Sequence, residues 1–227
     1  MIMKKNIIKN VMLAFIMALP FGACNDIIDL KSVNNLPTST ALQDLKGVTT
    51  ALFGAYDGMQ ALNYYGRDFI VFPEVRADNA YVAITNSNRF LSDYNYQLSA
   101  NTTQTGFWNA AYAAILDANN VINIISSIKD GSAADRNQVL GEALAIRAIC
   151  HFDLVRVFGK PYYDGNGSQL GVPIKLDNKV VDIARNTVGE VYSQVIEDLT
   201  TAQGLLSNAN TPFRFSADAV NALLARV

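Results

Sequence analysis

The chain has 227 residues, half of them hydrophobic, and a formal charge of −2 from 18 basic and 20 acidic side chains. That length supplies one substantial core or a share of a larger one, and near-neutrality without a basic cluster excludes the electrostatic footprint of a nucleic-acid binder. One histidine and two cysteines leave little material for metal or disulfide chemistry.

At the N-terminus, Lys4, Lys5 and Lys9 precede an apolar run from Val11 to Leu19, and Phe21-Gly22-Ala23 leads into Cys24. The run falls well short of the roughly 20 residues a bilayer span needs, so residues 1–23 read as an export signal. Small residues before the cysteine make a lipobox-like site, with Phe21 where leucine is usual. Cys24 is therefore expected as a lipidated N-terminus; an ordinary secretory signal with a nearby cysteine is the alternative. Acylation of Cys24 leaves Cys150 without a partner in the chain, which excludes a disulfide scaffold. Residues 24–39 lack sustained periodicity and read as a tether, followed by a helical region over 40–227.

Thr40 and Gln43 stand at capping-box spacing. Leu45, Val48, Leu52, Tyr56 and Met59 follow at helical intervals, which predicts a first helix over about 41–62. From Asn63 to Thr105 the periodicity fails, leaving long loops with room for one short helix. Loops of that length are usually functional or disordered, and Tyr64, Tyr65, Tyr81, Tyr94 and Tyr96 argue against disorder.

A second helix is expected from Gly106. Phe107, Ala111, Ala114, Ala118, Ile122 and Ile125 form its apolar stripe, and Asn109, Asn119, Asn120 and Asn123 fall on its other faces. The turn "KDGSA" leads to a third helix over about Ala134 to Phe158, and the short connection makes the two an antiparallel hairpin. Gly159 to Asn186 reads as loop, with "GKPYY" and "GVPIK" each turning the chain into a short extended piece. Thr187 and Glu190 have capping-box spacing before Val188, Val191, Val195, Leu199, Ala202 and Leu206. Ser216 is the expected N-cap of a last helix in which Ala219, Ala222, Leu223 and Val227 are of buried type. That helix shows no stop signal, which predicts that the natural chain continues.

Cys150, His151 and Asp153 lie within four residues in "RAICHFDLVRVFGKPYY", Arg147 to Tyr163. On a helix, neighbours point about 100° apart and do not face each other. Cys150 and His151 therefore cannot pair as nucleophile and base, and Asp153 cannot orient the ring. Leu144, Ala148, Phe152 and Val155 form the core stripe, with Arg147 and His151 on its flank, so the expectation is a packed helix with a boundary histidine. No metal-ligand spacing, phosphate-binding glycine loop or nucleophile elbow occurs. No metal, no cofactor and no enzymatic activity are expected. Carboxylates paired only by folding are the one catalytic arrangement that a single sequence hides.

These pieces together resemble the SusD/RagB family of outer-membrane nutrient-binding lipoproteins. The acidic start "CNDIIDL" and the helix "FWNAAYAAILDANNVI", with Trp108, Tyr112, Ile115 and Asn119, match its pattern. So does the stretch carrying Arg147, Ala148, Phe152, Leu154, Val155, Phe158, Gly159 and Pro161. "RNTVGEVYSQVIEDLTTA" and "RFSADAVNALLARV" complete an ordered set along essentially the whole chain. The resemblance implies an all-α fold of tetratricopeptide-like helix pairs beneath irregular ligand-facing loops. It also implies attachment to the cell-surface side of the outer membrane, capture of an oligosaccharide or peptide, and delivery to a SusC-type TonB-dependent transporter. Members are usually about twice this long, so a C-terminal half is expected to be missing.

Family binding residues share no motif, so candidates come from loop chemistry. Sugars offer apolar ring faces and many hydroxyls, which suit aromatic rings beside Asn, Asp and Arg. Asp78, Asn79, Tyr81, Asn86, Arg89, Tyr94 and Tyr96 supply that set. The competing expectation is that these tyrosines tuck onto the scaffold or meet the transporter. Trp108, at a helix start, is expected to pack rather than stack on sugar. A helical-repeat scaffold without nutrient ligand and a hydrolase with catalytic residues in the absent half are the other readings.

Overall fold

The computed structural model describes residues 38–99, 104–179, 181–208 and 212–227. The export signal, Cys24 and the tether through residue 37 lie outside the described residues. The chain divides at Thr40/Ala41 into two units, and the second, 41–227, carries the features below. The helices are α1 (Thr38–Ala41), α2 (Leu45–Met59), α3 (Asp68–Arg76), α4 (Leu91–Tyr94), α5 (Thr105–Ile124), α6 (Ala133–Phe158), α7 (Val188–Leu205) and α8 (Ala217–Arg226). Short 3-10 turns at Ile125–Ser127 and Tyr162–Asp164 complete an all-α fold. Among the described residues, the single antiparallel bridge Leu170–Thr187 is the only strand-like pairing.

The long helices pack in series: α2 against α5, α5 against α6, α6 against α7 and α7 against α8, with α2 also reaching α6. The expected stripes form the core. Val48 and Leu52 of α2, Phe107, Ala111, Ala114 and Ala118 of α5, and Val191 and Val195 of α7 are fully buried. In the middle helix the expectation fails. Residues from Gly141 to Val155 of α6 are buried on every side, so Arg147 and His151 are interior residues. Neighbouring helices and the loop before α7 enclose the middle of α6, and its buried Glu142, Arg147 and His151 all have hydrogen-bond partners.

Helix starts follow side-chain caps. Thr187–Glu190 forms the expected capping box on α7, and Ser132–Asp135 forms another on α6. The Thr40–Gln43 box is replaced. Asp44 is the N-cap of α2, accepting the Gly47 amide at 2.7 Å, and both Asp130 carboxylate oxygens accept the Leu45 amide at 3.1 Å. Two carboxylates at one N-terminus complement the helix dipole. The chain doubles back so tightly here that a Cβ on Gly47 would lie 2.0 Å from the Ala41 carbonyl oxygen.

Two further expectations are corrected. The 63–105 segment holds α3 as well as the one-turn α4; α3 contains Pro73, yet it buries Phe72 and Val75 on one face. On α8 only Val220 is buried, while Ala222 is exposed and Ala219, Leu223 and Val227 are half-buried. In the loop after α6, "GVPIK" follows directly on the bridge residue Leu170 and exchanges backbone hydrogen bonds with Asn186 through Gly171 and Val172, whereas "GKPYY" enters the 3-10 turn. Arg185 fastens this loop, donating to the carbonyls of Gly171 (2.6 Å), Phe158 (3.1 Å) and Leu170 (3.2 Å).

Candidate ligand-facing site

The segment between α3 and α5 is built around Asp93, which is only 1% exposed. Arg76, the last residue of α3, donates through Nε and Nη2 to Asp93 Oδ1 at 2.9 and 2.6 Å. Gln104, at the start of α5, donates through Nε2 to both Asp93 oxygens at 3.1 and 2.9 Å. The Arg76 guanidinium also lies 4.8 Å above the Phe72 ring, a cation–π contact that fixes its direction.

The candidate residues lie along this segment in different situations. Tyr81 is 81% exposed, and Asp78, Asn86 and Arg89 are exposed as well. Tyr96 is exposed but donates its hydroxyl to the Arg76 carbonyl at 2.6 Å. Asn79 donates to Glu74 Oε2 at 2.9 Å and Asn86 to the Arg89 carbonyl at 3.2 Å. Tyr94 sits at the end of α4, 38% exposed. Tyr64 and Tyr65 turn the other way: both donate to Asp153 Oδ2, at 2.8 and 2.6 Å. Tyrosine count alone did not separate the outward from the inward rings. Asp78, Asn88, Phe90 and Tyr96 have φ between 54° and 59°. Asp and Asn tolerate the left-handed region, but bulky Phe90 and Tyr96 there are strained.

The cluster of reactive residues on α6 resolves into separate structural roles. The Lys175 amide donates to His151 Nε2 at 3.1 Å, so Nδ1 carries the proton and donates to the Arg147 carbonyl at 3.0 Å. Burial, then the nearby Arg147 charge, push the His151 pKa down to about 4. The ring is neutral and both nitrogens are committed. Cys150 and Asp153 share a side of the helix, because residues three apart are neighbours. Both meet the Tyr64 hydroxyl, at 3.6 and 2.8 Å. Burial pushes the Cys150 thiol pKa well up, the opposite of an activated nucleophile. Asp153 is likewise raised by burial, opposed by its tyrosine hydrogen bonds.

Asn119, expected away from the core, is fully buried. It accepts from Arg147 Nη1 at 3.0 Å and donates to the Lys175 carbonyl at 3.1 Å. Trp108 packs edge-on to Phe158 at 4.9 Å and beside Tyr112 at 4.8 Å. Among the described residues no group of three His, Cys, Asp or Glu side chains is placed to hold a metal ion. No described helix is long and apolar enough to cross a membrane. A cleft of about 580 Å³ is lined by Tyr65, Phe69, Phe72, Arg76, Arg156 and Arg226 among others. None of the seven loop candidates lines it.

Comparison with known proteins places this geometry in context. A family model described as SusD-like, starch-binding associating with outer membrane, matches residues 26–227. SusD-like protein P38 of Formosa agariphila is 27% identical over 96% of this chain, which covers 42% of that protein. A putative sugar binding protein from Bacteroides vulgatus superposes with a TM-score of 0.75 at 28% identity, over 82% of this chain and 42% of the other. A SusD superfamily protein from Bacteroides thetaiotaomicron gives 0.72 at 28% identity, over 81% and 42%. The chain therefore spans about two fifths of the length of these relatives.

Proposed function

The chain belongs to the SusD-like family, and from that membership we propose that it is part of an outer-membrane lipoprotein that binds an oligosaccharide and passes it to a SusC-type TonB-dependent transporter. The family is one of binding proteins, and the description of its model names both starch binding and the outer membrane. The observation that carries the reading to particular residues is the 77–99 segment. It presents exposed Tyr81, Arg89, Asp78 and Asn86 on a rigid helical base. Aromatic faces suit sugar rings, and guanidinium, carboxylate and amide groups suit their hydroxyls. Asn79, Tyr94 and Tyr96 complete the proposed surface, with Tyr96 acting through its ring because its hydroxyl is engaged.

Cys24 is the proposed lipid attachment point. Cys24→Ala is expected to abolish acyl labelling and release the protein from membranes; persistent labelling and attachment would refute the anchor. The ligand is tested on the complete protein with soluble starch, laminarin and a peptide pool. Saturable glycan binding is expected. Retained transporter association without glycan binding would favour a peptide-binding member or an interaction scaffold, the reading that the serial packing of helix pairs supports.

A further inference from the structure

We infer that Asp93 is the positioning residue of the ligand-facing segment, an inference that rests on the glycan-binding reading for its consequence but not for its geometry. α4 is four residues long, too short to hold itself together in water. Its one buried residue is Asp93, and the contacts that fix it come from outside the turn.

Arg76 approaches from the end of α3 and Gln104 from the start of α5, so one carboxylate joins the entrance and exit of the segment. The Tyr96 hydroxyl closes a second tie on the Arg76 carbonyl. Between these ties lie Asp78, Tyr81, Asn86 and Arg89. The same ties span the strained Phe90 and Tyr96 positions, with φ of 57° and 54°. Charge-assisted hydrogen bonds to a carboxylate buried to 1% exposure oppose relaxation of that backbone. A loop fixed before the ligand arrives loses less conformational freedom on binding, which raises affinity without any contact from Asp93 itself.

Asn at position 93 preserves shape and removes the charge. In the complete protein, Asp93→Asn is compared with Gln104→Leu, which keeps the Arg76–Asp93 pair and deletes only the α5 tie. Three quantities are measured: amide hydrogen exchange, thermal midpoint, and affinity for soluble starch and laminarin. Asp93→Asn is expected to speed exchange within 77–99 while α5 and α6 keep their protection, and to weaken glycan binding about tenfold or more. Gln104→Leu is expected to act in the same direction by less. Should Asp93→Asn fail to fold, the same contrast is read from Gln104→Leu. Unchanged exchange in 77–99 overturns the inference, and so does faster exchange with unchanged affinity. An unsubstituted protein that binds neither glycan would refute the binding reading, and exchange alone would then decide the role of Asp93.

Discussion

Arg147 joins three helices through one guanidinium: from α6 it grips Asp198 of α7 with two bonds, at 2.8 and 2.7 Å, and Asn119 of α5 with a third at 3.0 Å. Gln194 adds a hydrogen bond to the same Asp198 at 3.0 Å. Such a pair contributes modestly against an apolar substitute, but removal of one partner strands a buried charge. Asp198→Asn is expected to destabilise the fold by about 3–5 kcal/mol in chemical denaturation, whereas Arg147→Met with Asp198→Leu recovers part of that loss. His151 gives a pH signature. Its folded pKa is about 4 against 6.5 when free, so the unfolded chain binds more protons between those values. Its contribution is fully present above pH ~6.5 and is lost as pH falls towards 4, by roughly 3 kcal/mol at most. Asp153, raised by burial, has the opposite sign above the usual carboxylate range, favouring the folded state as it protonates. The difference between the unsubstituted protein and His151→Gln isolates the histidine: the variant is expected to lose stability less steeply from pH 6.5 to 4. Helical spacing showed that Cys150 and His151 cannot cooperate. Burial of His151 on all sides was not legible, because the Lys175 amide that covers it lies 24 residues away.

At the scale of elements, signals contained within one turn are legible in the sequence and distant ones are not. Thr187–Glu190 and Ser216 acted as caps because each cap and its target amide lie within one turn. The start of α2 is not legible locally, because Asp130, whose carboxylate holds the Leu45 amide, lies 85 residues downstream. α3 leaves little periodic signal, since it is only nine residues long and contains Pro73. Glycines within the helices separate propensity from packing. A Cβ on Gly54 of α2 would meet nothing within 4 Å, whereas one on Gly141 of α6 would lie 2.8 Å from Leu206 Cγ and 3.3 Å from the Ala202 carbonyl oxygen. Gly54→Ala is expected to stabilise by about 0.5–1 kcal/mol through helix propensity alone. Gly141→Ala is expected to cost about 1–3 kcal/mol by overpacking the α6–α7 contact. Thermal midpoints moving in opposite directions would bear this out; a rise in both would show that α7 shifts freely.

For the whole molecule, the ordered helix motifs were informative because they encode packing: Phe107, Phe152, Val191 and Leu199 are core residues, and their spacing follows from the helices they join. The loop surface carries no comparable periodicity, so its candidates rest on side-chain chemistry, and Asp93, which organises them, is not legible. Its signal is an acidic residue in a polar segment, which sequence alone cannot distinguish from a solvated one. The molecule combines a series of packed helices with an exposed segment tied at both ends. The proposed function requires that this segment contact sugar. Titration of the complete protein and its Tyr81→Ala/Arg89→Ala variant with soluble starch and laminarin tests it most directly. Both side chains are exposed and outside the core, so the fold should keep its thermal midpoint. Saturable binding by the unsubstituted protein, weakened about tenfold or more in the variant, is the predicted result; no saturable binding, or equal affinity in both proteins, would contradict it.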